Sequence, residues 1–188
     1  MARSQLLKDI VSGTVSLESV FLRLKVIMSD FENEHITNWV NGELQGYRES
    51  NEVPHYRAFK GTAIGTFIVN NRVQYTNAPV PLESLLDTKD VEEIISLRVH
   101  DSIATVQSML NGDNREKYGK VVPTSFCHSI STYELQIAGI VVKLSSTHLE
   151  GIVSAVKSKL VEVIMELEKQ FNNLDSLDIK SQVGRKFY

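Results

Sequence analysis

The stretch Phe59-Lys60-Gly61-Thr62-Ala63-Ile64-Gly65-Thr66-Phe67-Ile68-Val69-Asn70-Asn71-Arg72-Val73-Gln74-Tyr75-Thr76 decides the fold class, because it breaks a pattern that reads as helix up to Tyr47. β-Branched and aromatic residues fill both halves of it, as a pleated surface requires. Strands are expected over Phe59–Val69 and Arg72–Thr76, with Asn70-Asn71 between them supplying the positive φ angles of a tight hairpin turn. Gly61, Ala63 and Gly65 alternate on the face shared by Phe59 and Phe67. Such a flat patch marks the close approach of a helix; a ligand groove floored by the small residues is the competing reading.

Upstream of the hairpin the spacing is helical. Leu6, Leu7, Ile10 and Val11 form a short stripe ending at Gly13. Ser16 caps a second helix bearing Leu17, Val20, Phe21, Leu24, Ile27, Met28 and Phe31. A third turns Ile36, Trp39, Val40 and Leu44 inward and stops at Gly46. Arg48 to Pro54 is loop. Downstream, Pro79 and Pro81 end the second strand, and Asp87 or Thr88 caps a long helix through Val91, Ile95, Val99, Ile103, Val106 and Leu110. A charged loop spans Asp113 to Lys120, and a strand runs from about Tyr133 to Leu144. Thr147-x-x-Glu150 matches a capping box that opens a helix with Leu149, Val153, Val156, Leu160, Val163, Leu167 and Phe171 inward. The expected architecture is α+β: a bundle of about five helices with a small antiparallel sheet of about three strands. Residues 1–171 form the domain and 172–188 a tail or linker.

Composition bounds the chemistry. The chain has 188 residues, 42 % hydrophobic and 23 % charged, which describes a globular protein with a sizeable core. A formal net charge of −3 and a pI near 6.0 argue against a dedicated nucleic-acid binder. The one cysteine, Cys127, excludes an internal disulfide and any multi-cysteine metal site, and makes reducing cytoplasm the default compartment. No secretory leader is expected at the N-terminus, and the longest apolar run, Ile137 to Val142, falls far short of the ~20 residues of a membrane span.

Catalytic patterns are sparse. None of His35, His55, His100, His128 and His148 falls into H-x3-H or H-E-x-x-H, so no zinc site is expected. Cys127-His128 are neighbours, and His100-Asp101 sits inside the expected long helix; adjacent side chains diverge rather than forming a nucleophile pair. No phosphate-binding loop is present, and no cofactor is expected. Arg185-Lys186 beside Phe187 and Tyr188 supplies too little charge for nucleic acid.

Two clusters remain. Trp39, Glu43 and Tyr47 share one face of the third helix, and Arg57 is a candidate partner for Glu43 if that carboxylate is buried. The cluster reads as a structural seam or, alternatively, a recognition surface. On the last helix the stripe is wider than a coiled-coil seam, which suits packing within the chain. Val161, Ile164 and Met165 would form an association face if the helix also meets a partner.

The order of these features resembles a known family. Phe31 and Trp39-Val40-Asn41-Gly42-Glu43-Leu44-Gln45-Gly46-Tyr47 give F-x7-W-V-x-x-E-L-x-G-Y. Pro54-x-Tyr56-Arg57, Asn77-Ala78-Pro79-Val80-Pro81 and Leu149-x-Gly151-Ile152-x-x-Ala155-Val156-Lys157-x-Lys159-Leu160 follow. Together, over roughly residues 4 to 171, they resemble the AbiTii-like domain of bacterial abortive-infection proteins, with Lys157 and Lys159 where several relatives carry arginine. The resemblance implies a role in defence against phage, often ahead of variable effector regions, and supplies no catalytic motif. The expected function is therefore a non-enzymatic interaction and oligomerisation domain that positions or regulates an effector. Its partners would be a second copy, an effector or a phage-derived trigger, with no membrane or nucleic acid. The alternative is a toxic effector with hydrolase or nuclease activity.

Overall fold

In the computed structural model, residues 3–29, 33–48, 52–171 and 174–178 are described, and Phe31 and Arg185–Tyr188 lie outside them. The chain divides into two compact units. One comprises Met1–Glu52, His100–Ser108 and Gly151–Tyr188, and the other Val53–Val99 and Met109–Glu150.

The first unit is helical. It contains α1 (Gln5–Ser12), α2 (Leu17–Met28), α3 (Glu34–Gln45), the start of α5 (Ile103–Asn111) and most of α7 (Ser146–Gln170). Local chemistry sets the boundaries, at Gly13 and Ser16 as read from the sequence and at Ser4 without such a reading. The Ser4 and Ser16 side chains accept hydrogen bonds from the Leu7 and Ser19 amides, and Gly13 ends α1 at φ 66°. The core is built from Leu6, Phe21, Leu24, Val40, Ile152, Leu160 and their neighbours, all buried. Beyond α7, a 3₁₀ turn at Leu174–Ser176 buries Leu174, within the stretch expected to be tail.

The second unit carries the sheets. β2 (Thr62–Val69) pairs antiparallel with β3 (Val73–Pro79) and β6 (Leu135–Lys143), and β5 (Gly119–Val122) closes the order β3-β2-β6-β5. A separate two-stranded sheet joins β1 (Ala58–Lys60) to β4 (Ser96–Arg98). Helices α4 (Thr88–Ile95) and α6 (Thr124–Ile130) belong to this unit.

The α+β class holds, but the element counts do not: among the described residues there are seven α-helices and two antiparallel sheets, of four and two strands. The long helix expected through Val91 to Leu110 is two helices with β4 between them. Ser96 Oγ donates to the Glu92 carbonyl at 2.6 Å, Leu97 turns inward opposite Phe59, and Ser102 Oγ caps Thr105 N at 3.2 Å. The inward residue of β4 is Leu97, outside the spacing of four, while Val99 just after the strand and Ile103 in α5 are buried in the positions that the spacing marked. The strand expected over Phe59–Val69 likewise divides at Gly61, whose N–H bonds to Ile95 O at 2.8 Å. A Cβ there would lie 2.7 Å from Lys143 O. The charged loop expected at Asp113 to Lys120 runs into β5, and α6 had no reading at all.

The hairpin turn is present and one residue longer than expected. Asn70 and Asn71 take φ of 51° and 54°, and Arg72 N donates to Val69 O at 3.1 Å, yet pairing resumes only at Val69↔Val73. The capping box is not formed as read. Helix α7 starts at Ser146, and Glu150 instead accepts from Arg115 at 2.7 Å.

Bulges explain two of the sequence signatures. Gly65 pairs with Ala78 and Phe67 with Tyr75, so β3 carries an extra residue there, with Asn77 at φ 55°. Val80 follows, its N–H bonded to Ala63 O at 3.0 Å. A Cβ on Gly65 would sit 2.8 Å from Val80 Cγ2 and 2.2 Å from Gly139 O. The small residues therefore admit Val80 and the β6 backbone, where an approaching helix or a ligand groove was expected.

Candidate functional site

Trp39, Glu43 and Tyr47 come together in the first unit. The Trp39 ring is 5 % exposed and meets Phe21 edge-on, with centroids 5.2 Å apart, as expected of a residue fixing α3 against α2. Glu43 is completely buried, and Tyr47 OH donates to its Oε1 at 2.9 Å. Lys159 on α7 places Nζ 4.6 Å from the Trp39 ring centroid. Burial pulls the Lys159 pKa below its ordinary value, against the attraction of Glu43 and Glu162.

The glycines of the W-V-x-x-E-L-x-G-Y segment serve this geometry. A Cβ on Gly42 would lie 2.5 Å from the Tyr47 ring, so only glycine lets the tyrosine fold back along α3. Gly46 takes φ of 85°, and a Cβ on it would meet His100 O at 2.8 Å. The Tyr47 amide donates to that same carbonyl at 2.7 Å. Among the described residues, Asn41 Oδ1 and His100 Nδ1 are buried and have no hydrogen-bond partner.

Arg57 belongs to the second unit. It is fully buried in a 3₁₀ turn at His55–Arg57, where its Nη1 donates to Val99 O at 3.1 Å. Val99 N donates to Arg57 O at 2.9 Å. On α7, Ile164 is fully buried in the chain itself and has no surface to offer a partner, whereas Val161 and Met165 are half-buried.

One constellation escaped the sequence reading. Arg23 lies between two carboxylates, donating from Nη1 to Asp9 at 2.6 Å and from Nε to Asp178 at 2.9 Å, with Nη2 also on Asp178. All three residues are buried. Burial opposes the Arg23 charge, but hydrogen bonding and attraction from Asp178 and Asp9 outweigh it and raise the pKa. The available signal was positional: Asp9 and Arg23 interrupt the inward stripes of α1 and α2. Asp178 had no such signal.

Among the described residues, the cysteine and the histidines do not converge. Cys127 is buried, and loss of solvation raises its thiol pKa, so it resists forming the thiolate. His128 beside it is exposed. His100 lies in the loop between β4 and α5, not within a helix. His148 accepts from or donates to Ser145 Oγ at 2.8 Å, with its ring 5.0 Å from that of Phe59. Among the described residues no three of His, Cys, Asp and Glu converge to hold a metal, and no helix is long and apolar enough to cross a membrane.

Trp39, Glu43, Gly46 and Tyr47 of the motif thus each have a physical role, and Gly42 admits the Tyr47 ring. The AbiTii family model matches residues 4–187, nearly the whole chain. The chain belongs to the AbiTii family. That membership supports a role in abortive infection and antiviral defence, and the match extends through the segment that buries Leu174 and Asp178. No curated protein and no solved structure matches this AbiTii domain significantly.

Proposed function

We propose that this AbiTii domain is a non-enzymatic interaction and oligomerisation module that positions or regulates an effector in phage defence. The observation that supports it is the sheet of the second unit, whose two edge strands both present large apolar side chains to solvent. Val73 and Tyr75 on β3 are 50 % and 45 % exposed, and Val121 on β5 is 73 % exposed. Sheet edges are ordinarily blunted by charge or covered, because unpaired strands recruit further chains. The buried ionic groups, by contrast, hold structure: Arg23 binds two carboxylates, and Glu43 binds Tyr47. A second copy, an effector or a phage-derived trigger protein fits such edges.

Light scattering at micromolar concentration tests the oligomeric part. Self-association is expected, and Val161→Glu abolishes it if the half-buried side of α7 contributes, since a desolvated carboxylate at an interface is costly. A monomer that turns over RNA, DNA or nucleotides refutes the proposal and favours the toxic-effector alternative.

A further inference from the structure

A groove of about 430 Å³ runs beside β5 in the second unit. Its apolar lining is Ile94, Val121, Val122, Pro123 and Phe126, and its rim carries Asp90 and Glu93. Lys120 also borders it, with its ammonium on the Ser96 carbonyl at 3.2 Å. Glu92, next to Glu93, is paired with Lys60 at 2.7 Å. Asp90 and Glu93 themselves have no ion pair among the described residues, and they stand one helical turn apart on α4.

The wall of this groove is an open strand edge. Among the described residues β5 lies at the end of the sheet and pairs only with β6. Leu144 N donates to Tyr118 O at 3.0 Å, and the register continues as Gly119↔Lys143 and Lys120↔Val142. In an antiparallel pair, alternate residues exchange both main-chain bonds with the partner strand. The Tyr118 bond therefore assigns Lys120 and Val122 to β6 and turns the N–H and C=O of Gly119 and Val121 outward. Val121 thus offers a main-chain donor and acceptor together beside an apolar trough and two uncompensated carboxylates.

Resting on the interaction-module reading, we infer that β5 is a docking edge for an extended basic peptide of a partner protein. The peptide adds as a further antiparallel or parallel strand through Val121. It seats one large apolar side chain against Ile94, Val122 and Phe126, and sets a lysine or arginine two positions away against Asp90 and Glu93. Side chains two apart share a strand face, so one peptide face meets both features. Charge complementarity selects a basic partner: an acidic segment would be repelled by the two carboxylates.

The probe is a capped, fluorescein-labelled pentapeptide, lysine-threonine-phenylalanine-threonine-lysine, titrated with the full chain and read by anisotropy. Saturable binding is expected, with amide shifts confined to residues 90–94 and 119–126. The double variant Asp90→Lys, Glu93→Lys should weaken it about tenfold or more. Both side chains are exposed, so the fold is retained. Val121→Pro removes the outward N–H at an edge position where proline is tolerated, and should abolish binding. N-methylation of the peptide's central residues gives the same test without altering the protein. Equal binding of the peptide with glutamate in place of lysine, or of the N-methylated peptide, overturns the inference. So does light scattering that shows Val121→Pro dissociating a homodimer, which would make this edge a self-interface. If the peptide fails while the chain still self-associates, the groove falls and the interaction module stands. If the peptide binds a monomer that degrades nucleic acid, the reverse holds.

Discussion

Replacing Arg23 by methionine removes the cation but leaves Asp9 and Asp178 buried beside each other, at 4 % and 1 % exposure. The methionine keeps most of the aliphatic stem, so the change is electrostatic rather than a cavity. Breaking a buried ion pair from one side typically costs 3–5 kcal/mol, since the surviving charge loses its compensation without regaining water. With about 4 kcal/mol lost and an m-value of about 2 kcal/mol/M in urea, the midpoint should fall by about 2 M. The same step should lower the folding constant about a thousandfold. Tryptophan fluorescence suits the assay, because Trp39 is the sole tryptophan and is buried in the same unit. The companion variant Arg23→Met, Asp9→Asn, Asp178→Asn removes the repulsion and should recover much of the loss. A midpoint shift below about 0.5 M, equivalent to roughly 1 kcal/mol at that m-value, would mean the three groups are solvated and the reasoning is wrong.

Trp39→Ala should cost about 3–5 kcal/mol, because it opens a cavity against Phe21 and removes the ring beneath Lys159; a thermal or urea shift under 1 kcal/mol refutes its core role. Gly65→Ala should destabilise the sheet by about 1–3 kcal/mol, since its methyl would lie on the Gly139 carbonyl and Val80; unchanged amide exchange in β2 and β6 contradicts the close approach. Glu168 accepts from the Ser4 amide at 2.7 Å and from Arg3 at 2.8 Å, and these bonds outweigh the burial that would raise its pKa, leaving it lowered. A lowered folded pKa means the stabilisation is present above the unfolded value of about 4.5 and is lost as pH falls through the folded value. Glu168→Gln should therefore reduce stability at pH 7 and converge with the wild type in acid; parallel pH curves for the two proteins would refute the assignment.

The sequence alone determined the short-range features. Ser16 capped its helix as read, and of Asp87 and Thr88 it was Asp87 that capped, accepting from the Asp90 amide. Gly13 and Gly46 ended helices at positive φ, and Asn70-Asn71 turned the chain. The W-V-x-x-E-L-x-G-Y segment was legible as a pattern, and its Gly42–Tyr47 and Glu43–Tyr47 contacts are local, whereas Trp39 meets Phe21 and Lys159 and Tyr47 meets His100 only through the fold. The local features are settled by groups within a few residues of one another, so a linear reading reaches them.

Tertiary structure decided what depends on partners distant in the chain. Val91 to Leu110 has helical spacing, yet Ser96–Arg98 became a strand because Ala58–Lys60 was there to pair with it. Gly119–Val122 is too short to show alternation and exists as a strand only through β6. Asp9, Arg23 and Asp178 are three separate charges in the sequence; only folding shut them away from water together, where each requires the others. The open edge at Val121 follows in the same way, since which main-chain groups face outward is fixed by a register that the partner strand alone imposes.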